Sequence, residues 1–178
     1  MKITLVRHGE TEENYLRKLQ GTKNVLMNDS GRRECQRLKL KLIDKHFDYC
    51  YMSPLVRCVE TAMILVGDRV LTIPDNRLIE RELGELEGRS IEEYNFYKFW
   101  NYKLNYSNYG VESIQSLFER CQSFLDYILE KHKGEDILIV THSGVFRALH
   151  HLLKKNDLNS NLLGFKIPNC YMEEFEYE

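Results

Sequence analysis

The feature that most constrains this chain is a short apolar stretch near its start that ends in two basic side chains and a glycine. Residues 3–6 form the stretch, and Arg7, His8 and Gly9 follow at once. Such a run is typical of a buried strand in a parallel sheet. Placing two basic side chains at the buried end of a strand costs free energy unless an anion binds them. Open α/β sheets bind their ligands at this place, outside the carboxyl ends of the strands. The stretch therefore predicts an anion site in an α/β protein.

A second apolar stretch later in the chain ends in a similar way. Residues 137–140 are Ile-Leu-Ile-Val, and His142 and Gly144 lie just beyond them. Because the carboxyl ends of parallel strands meet at one edge of a sheet, we expect His8 and His142 to share one site. The sequence thus predicts a single pocket with two imidazoles.

The rest of the chain alternates short apolar runs with longer amphipathic segments, which is typical of βαβ units around a mostly parallel sheet. Strands are predicted at 2–6, 49–52, 70–73, 136–140 and 170–177, and the main helices at 32–44, 55–65, 113–133 and 145–155. Residues 29–31 and Ser53 are the predicted starts of the first two helices. The acidic residues 173–178 are typical of a solvated edge strand. We expect one domain, residues 1–178, built as a three-layer α/β/α sandwich.

Composition limits the classes of partner. The 178 residues include 25 Lys and Arg against 27 Asp and Glu, a formal charge of -2 that argues against nucleic acid as the main partner. The five cysteines, without a C-x-x-C pair, indicate neither a disulfide framework nor a zinc site and suit a reducing compartment. We find no signal-like leader and no apolar run near the roughly 20 residues of a membrane span. We therefore expect a soluble, cytoplasmic protein without a membrane partner.

Two further segments contribute chemically suited side chains. Arg57 lies in the first turn of a predicted helix, and Glu80 lies in a loop closed by Gly88. With Arg7 and the two histidines they supply two guanidinium groups, two imidazoles and a carboxyl group. A guanidinium group binds two phosphate oxygens at once, in bidentate fashion. A neutral imidazole can attack phosphorus, and a carboxylic acid can protonate the leaving oxygen. This set predicts chemistry on a phosphate ester.

These segments resemble the signature of the histidine phosphatase superfamily, whose members share the phosphoglycerate mutase-like fold. The matching segments follow the family's order and cover nearly the whole chain. They are Arg7-His8-Gly9-Glu10-Thr11, Asn14 with Gln20-Gly21, Ser53-Pro54-Leu55-x-Arg57-Cys58-x-x-Thr61-Ala62, Leu78-x-Glu80 with Gly84 and Glu87-Gly88, Gly110-Val111-Glu112-Ser113, and Thr141-His142-Ser143-Gly144-Val145-x-Arg147. The resemblance implies a mostly parallel sheet with an antiparallel edge strand.

The resemblance also implies a role for each catalytic candidate. His8 is implied as the nucleophile that becomes phosphohistidine, and Arg7, Arg57 and His142 as ligands of the phosphoryl group. Glu80 is implied as the general acid and then as the base that activates water. No His, Asp or Cys side chains cluster at ligand spacing, so we predict no metal site. No cofactor is expected.

Further residues are implied in substrate binding, namely Asn14, Gln20, Gly21 and Ser143 through its backbone N–H. Two features depart from the family pattern. Ser143 stands where members commonly have glycine, and residues 22–28 lack the Asp that often follows the glycine of this loop. Glu82, two residues from Glu80, is an alternative for the acid.

An aromatic tract, residues 94–109, has three interpretations at this point. It holds Tyr94, Phe96, Tyr97, Phe99, Trp100, Tyr102, Tyr106 and Tyr109. In the first interpretation, the tract packs on the domain and covers its core. In the second, it forms a wall of the pocket and contacts the organic part of the substrate. In the third, it forms a contact between subunits of an oligomer. Elsewhere, Cys58 is expected in the core, and His46 and His132 at the surface.

We interpret the chain as a phosphomonoesterase for a small phosphorylated metabolite, either a monomer or a homodimer. A phosphoglycerate mutase is the first alternative. About two dozen residues separate Gly88 from the helix predicted at 113–133, which favours hydrolysis, because mutases that resemble this chain carry larger insertions that exclude water. The second alternative is a non-catalytic phospholigand-binding protein on the same fold, which the full set of catalytic candidates disfavours.

Overall fold

The computed structural model describes residues 1–177 and contains one five-stranded sheet within them. Its strands are β1 (Lys2–Arg7), β2 (Tyr49–Met52), β3 (Leu71–Pro74), β4 (Asp136–Thr141) and β5 (Met172–Glu176). They lie in the order β3-β2-β4-β1-β5; the first four are parallel, and β5 pairs antiparallel with β1 at the edge. The predicted mostly parallel sheet with an antiparallel edge strand is confirmed. β5 starts later than predicted, because Cys170 lies in a turn.

The described residues also form α-helices and short 3-10 helices. The α-helices are α1 (Glu12–Tyr15), α2 (Asp29–Leu42), α3 (Val56–Leu65), α4 (Phe96–Phe99), α5 (Ile114–Lys131) and α6 (Ser143–Leu153). The 3-10 helices are Gly67–Arg69, Asn76–Leu78, Gly84–Leu86, Ile91–Glu93 and Asn108–Gly110. α2 begins earlier than predicted, because the Asn28 side chain accepts from the Gly31 N–H and caps it. Over residues 1–177, no helix is long and apolar enough to cross a membrane.

Helices cover both faces of the sheet, which gives three layers. Successive side chains of a strand point to opposite faces. Ile3 and Leu5 of β1 therefore pack in one core with α5 and α6, whereas Val6 packs in the other core with α2 and α3. Ser113 caps α5, because its Oγ accepts from the Ser116 N–H at 3.2 Å. Because the helices cover the two faces of the sheet, the loops at its carboxyl edge are the segments that can form a site.

His132 is buried, so the prediction that it lies at the surface is wrong. Tyr51 Oη lies 2.7 Å from its Nε2, and its Nδ1 bonds the Glu135 carboxylate. A buried ring with both nitrogens paired is a satisfied polar group. His46 is exposed and Cys58 is fully buried, as expected.

Candidate active site

The site lies where β1 and β4 end side by side. The two strands are parallel neighbours with Arg7 opposite Thr141, so His8 and His142 leave the sheet at the same edge. Their ring centroids are 5.2 Å apart and their planes are inclined by 63°. Ser53 follows β2, the other neighbour of β4. The structure thus brings both imidazoles together.

A cavity of about 250 Å³ opens at this edge of the sheet. The predicted site residues that line it are Arg7, His8, Asn14, Gln20, Gly21, Arg57, Glu80 and Ser143. His142 does not line the cavity and is fully buried. Eight of the nine predicted residues therefore meet at one cavity, and the ninth lies behind them.

His8 is held by its own chain. It is 2% exposed, and its Nδ1 donates to the Gly9 carbonyl oxygen at 2.7 Å. In the part of the chain that the structure describes, its Nε2 has no hydrogen-bond partner. Burial, reinforced by the charges of Arg7 and Arg57, holds the pKa of His8 well below its usual value. The ring is therefore neutral, with a lone pair on Nε2.

Arg57 connects the cavity to the buried His142. Its Nε donates to His142 Nδ1 at 3.1 Å, and its amino groups donate to the carbonyl oxygens of Gly21 at 2.9 Å and Lys23 at 2.6 Å. Because Nδ1 accepts, His142 carries its proton on Nε2, which donates to Ser53 Oγ at 2.8 Å. Burial, with the charge of Arg57, lowers the pKa of His142 well below its usual value. The His142 ring thus holds Arg57 in place, and its contact with a phosphoryl group stays a prediction.

Arg7 supplies a second guanidinium group to the cavity. Its Nη1 donates to the Ile167 carbonyl oxygen at 2.6 Å, whereas its buried Nε has no partner among residues 1–177. Burial lowers the pKa of Arg7, and the nearby Glu80 carboxylate opposes that effect. Buried donors without a partner are unusual. This one is available to an anion.

Glu80 is held at the N-terminus of α6. Its carboxylate accepts from the Gly144 N–H at 3.1 Å, from Ser143 Oγ at 3.3 Å and from the Arg81 N–H at 2.8 Å. A Cβ at position 144 would stand 2.4 Å from Glu80 Oε1, so glycine leaves room for the carboxylate in this position. Glu82 is exposed and lies outside the cavity lining. The geometry therefore favours Glu80 over Glu82 as the acid.

Asn14 is oriented by a capping box at the start of α1. Its Oδ1 accepts from the Thr11 N–H at 3.2 Å and from Asn169 Nδ2 at 3.1 Å. The amide nitrogen of Asn14 is thereby left to donate to a ligand. Gln20 is fixed beside it, because its Oε1 accepts from Thr11 Oγ1 at 3.0 Å. Gly21 has φ +53°, and its contribution is the carbonyl oxygen described above.

The outer part of the cavity is basic and aromatic. The Trp100 ring centroid lies 5.5 Å from the Arg81 guanidinium carbon and 5.4 Å from that of Arg147. Burial lowers the pKa of Arg147 to about 10. Arg81 is 2% exposed, and its Nη2 has no partner within the described chain. With Lys18, the lining presents five cationic side chains and one carboxylate.

Part of the aromatic tract forms a wall of the cavity and part of it packs in the core, which are two of the three interpretations of its sequence. Tyr94, Phe96 and Trp100 line the cavity. Tyr102 instead packs edge-on against Phe118 in the core, and Tyr97 is exposed. The tract therefore joins the core to the outer wall of the site.

Some residues of the site are not among the predicted site residues. Ser53 is predicted only as a helix cap, but α3 begins after Leu55 without a side-chain cap, and Ser53 bonds His142. Arg81 and Gly144 directly follow the predicted Glu80 and Ser143, and Arg147 ends the last matching segment. Adjacency to a predicted residue is the signal that could have found Arg81 and Gly144.

The arrangement suits attack on an anionic electrophile. A neutral nitrogen on His8 lies beside the guanidinium groups of Arg7 and Arg57, which stabilise negative charge in a site shielded from water. Glu80 adds a carboxyl group for proton transfer. No group of three or more His, Cys, Asp and Glu side chains that could hold a metal ion occurs in residues 1–177.

Comparisons with known proteins point in the same direction. A family model described as histidine phosphatase superfamily (branch 1) matches residues 3–178. The chain is 38% identical over 159 residues to Phosphoglycerate mutase-like protein 4 of Arabidopsis thaliana, covering 84% of this chain and 69% of that protein. It is 32% identical over 186 residues to Metal-independent phosphoserine phosphatase of the same plant, covering 97% and 77%. A solved phosphoserine phosphatase mutant from Entamoeba histolytica, in complex with phosphoserine, superposes with a TM-score of 0.86 at 25% identity, covering 99% of this chain and 91% of that one.

Proposed function

The chain belongs to the histidine phosphatase superfamily, and on that premise we propose that it is a phosphatase that hydrolyses small phosphomonoesters through a phosphohistidine on His8. One observation carries the proposal. His8 is neutral, its Nε2 is without a partner in residues 1–177, and it lines a cavity with Arg7 and Arg57. Such a nucleophile needs no base, because its lone pair is already free. The relatives named as phosphatases support the same activity.

The first step transfers the phosphoryl group from the ester to His8. Nε2 bonds to phosphorus as the bond between phosphorus and the leaving oxygen breaks. Arg7 and Arg57 hold the non-bridging oxygens, which guanidinium groups match in geometry and charge, and the Asn14 amide adds a donor. Glu80 gives the leaving oxygen its proton. His142 acts through Arg57, whose Nε it holds.

The second step frees His8. Water attacks phosphorus while Glu80, now ionised, accepts one of its protons, and the bond between phosphorus and nitrogen breaks to release inorganic phosphate. The donors from Arg81, Ser143 and Gly144 fix the Glu80 carboxylate. One carboxyl group is therefore in place for both proton transfers.

Replacing Glu80 with glutamine tests this proton transfer. Glu80→Gln is expected to slow phosphoryl transfer from an alkyl phosphate to His8 by about 10²- to 10⁴-fold but transfer from p-nitrophenyl phosphate by less than about tenfold, since p-nitrophenolate leaves without a proton. The measurement is the single-turnover rate of leaving-group release for both esters, because Glu80 also acts in the second step, which the two esters share. Glu82→Gln, at the exposed neighbouring carboxylate, is the control and should match the wild type. Equal losses on both esters would move the acid role away from Glu80.

We further propose that the substrate carries a second anionic group, such as a carboxylate. Arg7 and Arg57 suffice for a phosphate dianion, which leaves Arg81, Arg147 and Lys18 in the same lining. Arg81 is nearly fully buried with an amino group that has no partner in the described residues. A buried, unpaired cation is costly, so a second anion at this end stabilises the complex. The phosphoserine bound by the solved relative is an ester of this class.

Arg147→Gln tests the second anion. KM for phosphoserine or a phosphoglycerate is expected to rise by roughly 10- to 100-fold, since a hydrogen bond to a charged group contributes about 1.5–3 kcal/mol. KM for p-nitrophenyl phosphate, which lacks the second anion, is expected to change by less than about threefold. Arg147 also donates to the carbonyl oxygens of Leu162 and Phe165, so Tm is measured alongside. Arg69→Gln, at an exposed arginine outside the cavity lining, is the control. A uniform rise in KM would remove the second-anion proposal.

The activity itself is tested by phosphate release from a panel of phosphoserine, phosphoglycerates, sugar phosphates and an aryl phosphate, with EDTA present throughout. We expect release from the small carboxylated esters, at the same rate in a parallel assay without EDTA. Conversion of 3-phosphoglycerate to its 2-isomer without phosphate release would instead indicate a mutase. Tight binding without any turnover would indicate a non-catalytic protein.

A further inference from the structure

A pair of thiols lies behind the nucleophile, outside the cavity lining. Cys35 on α2 and Cys170 in the turn before β5 are 135 residues apart in sequence, yet their Sγ atoms are 3.3 Å apart. Both are free thiols; Cys35 is buried and Cys170 is half-buried. The proposed phosphoryl transfer uses neither of them.

Cys170 occupies a backbone position that favours another residue. The Tyr171 N–H donates to the Pro168 carbonyl oxygen at 3.1 Å and closes a turn, in which Cys170 is the third residue with φ +54°. Glycine is usual where a turn needs a positive φ at this position. Strained conformations of this kind are concentrated at functional sites. A thiol thus stands where backbone geometry alone would favour glycine.

The thiol pair is connected to the main chain of His8. The Cys170 N–H donates to the His8 carbonyl oxygen at 3.2 Å, and Asn169 Nδ2 donates to the same oxygen at 3.1 Å. On the other side, Cys35 Sγ packs so closely against Gly9 that an added Cβ there would stand 2.8 Å from it. The Gly9 carbonyl oxygen is the group that orients the His8 ring. Movement of either cysteine is therefore expected to shift the main chain at residues 8 and 9, and with it the His8 ring.

We propose that Cys35 and Cys170 form a reversible disulfide on exposure to a peroxide, and that this bond slows the phosphatase by displacing the His8 loop. Formation of the disulfide goes beyond the proposed function and does not depend on it. The effect on rate rests on the proposed function.

The reaction balances with hydrogen peroxide as the oxidant. The Cys170 sulfur attacks one peroxide oxygen; an S–O bond forms, the O–O bond breaks, and the departing hydroxide takes the thiol proton as water. The Cys35 sulfur then attacks Cys170; the S–S bond forms, the S–O bond breaks, and the second hydroxide leaves as water with the Cys35 proton. Two thiols lose two electrons, and one peroxide becomes two waters.

The bond is expected to disturb the reacting geometry. Sulfur atoms now 3.3 Å apart must approach to about 2.05 Å, and a close-packed interior passes such a shift to its neighbours. A displacement of about 1 Å at a reacting group costs up to roughly 10²-fold in rate. We expect oxidation to lower kcat by about 10- to 100-fold, with full recovery in dithiothreitol.

The experiment treats the full chain with hydrogen peroxide, alkylates the remaining thiols, and reads the intact mass, the linked peptides and kcat for p-nitrophenyl phosphate. The expected result is a linked peptide that joins Cys35 to Cys170, the loss of two alkylation sites, and a fall in kcat that dithiothreitol reverses. Cys170→Gly, which suits the positive φ at this position, is expected to show neither the link nor the fall. Cys35→Ala should behave the same way.

Cys50→Ala, which removes a buried thiol outside the pair, is the matched control and should keep the full peroxide response. A link to any other cysteine, or Cys170 oxidised without a link, would overturn the disulfide. A link without a change in kcat would overturn its control of His8. If no ester is turned over at all, the mass readout still decides the disulfide, so the two proposals fail separately.

Discussion

Replacement of His8 by alanine is expected to lower kcat for ester hydrolysis on the order of 10⁵-fold, because losing the nucleophile disables the groups that act with it. The fold should survive the change. The His8 side chain makes its hydrogen bond to the neighbouring Gly9 carbonyl oxygen, and it lines a cavity that water can fill. Steady-state rates and Tm, measured on the same preparation, separate loss of chemistry from loss of fold.

A rapid-quench experiment with a labelled ester shows where the phosphoryl group goes. Wild type should retain label that is acid-labile and base-stable, as expected for a bond between phosphorus and nitrogen, and His8→Ala should retain none. His46→Ala removes an exposed imidazole and is the matched control. Label on serine or aspartate, or a His8→Ala rate within tenfold of wild type, would contradict the mechanism.

Arg57→Lys is expected to lower kcat/KM by about 10³-fold, the lower end of what losing a guanidinium group costs in phosphoryl transfer. Lysine keeps the charge, but one ammonium group cannot reach His142 Nδ1 and the carbonyl oxygens of Gly21 and Lys23 together. The substitution therefore removes a bidentate ligand of phosphate and loosens the loop that carries Gly21. The measurement is kcat/KM with the best substrate of the panel, together with the inhibition constant for vanadate.

Arg32→Lys is the matched control for this substitution. Arg32 pairs with Glu60 at 2.8 Å outside the cavity, and its replacement should leave kcat/KM near the wild-type value. If Arg57→Lys keeps kcat/KM within tenfold of the wild-type value, the Arg57 guanidinium only holds the surrounding structure together and does not bind the phosphoryl group.

The place of the site could be predicted because it depends on local patterns. A buried strand followed by basic side chains fixes which end of the sheet binds an anion, and two such strands fix His8 and His142 together. The depth of His142 could not be predicted in this way. It depends on hydrogen bonds to Ser53 and Arg57, whose side chains come from another strand end and another helix.

The outer wall of the site could not be predicted from the sequence for a related reason. Arg147 lies on an amphipathic helix, where an arginine is ordinarily solvated, and it is covered because residues 162–165 return across it. The choice between Glu80 and Glu82 likewise depends on contacts with the start of α6, where Gly144 leaves room for a carboxylate. Such long-range contacts have no periodic signal in the sequence.

The neutral state of the two site histidines also sets how the whole fold responds to acid. In the unfolded chain, histidines take up protons near their ordinary pKa of about 6.5. In the folded protein, burial holds the pKa of His8 and of His142 well below that value. As pH falls below about 6.5, the unfolded state binds more protons, and the free energy of unfolding decreases by at most about 1.4 kcal/mol per pH unit for each histidine. The burial that keeps the nucleophile unprotonated in mild acid thus weakens the fold under those same conditions.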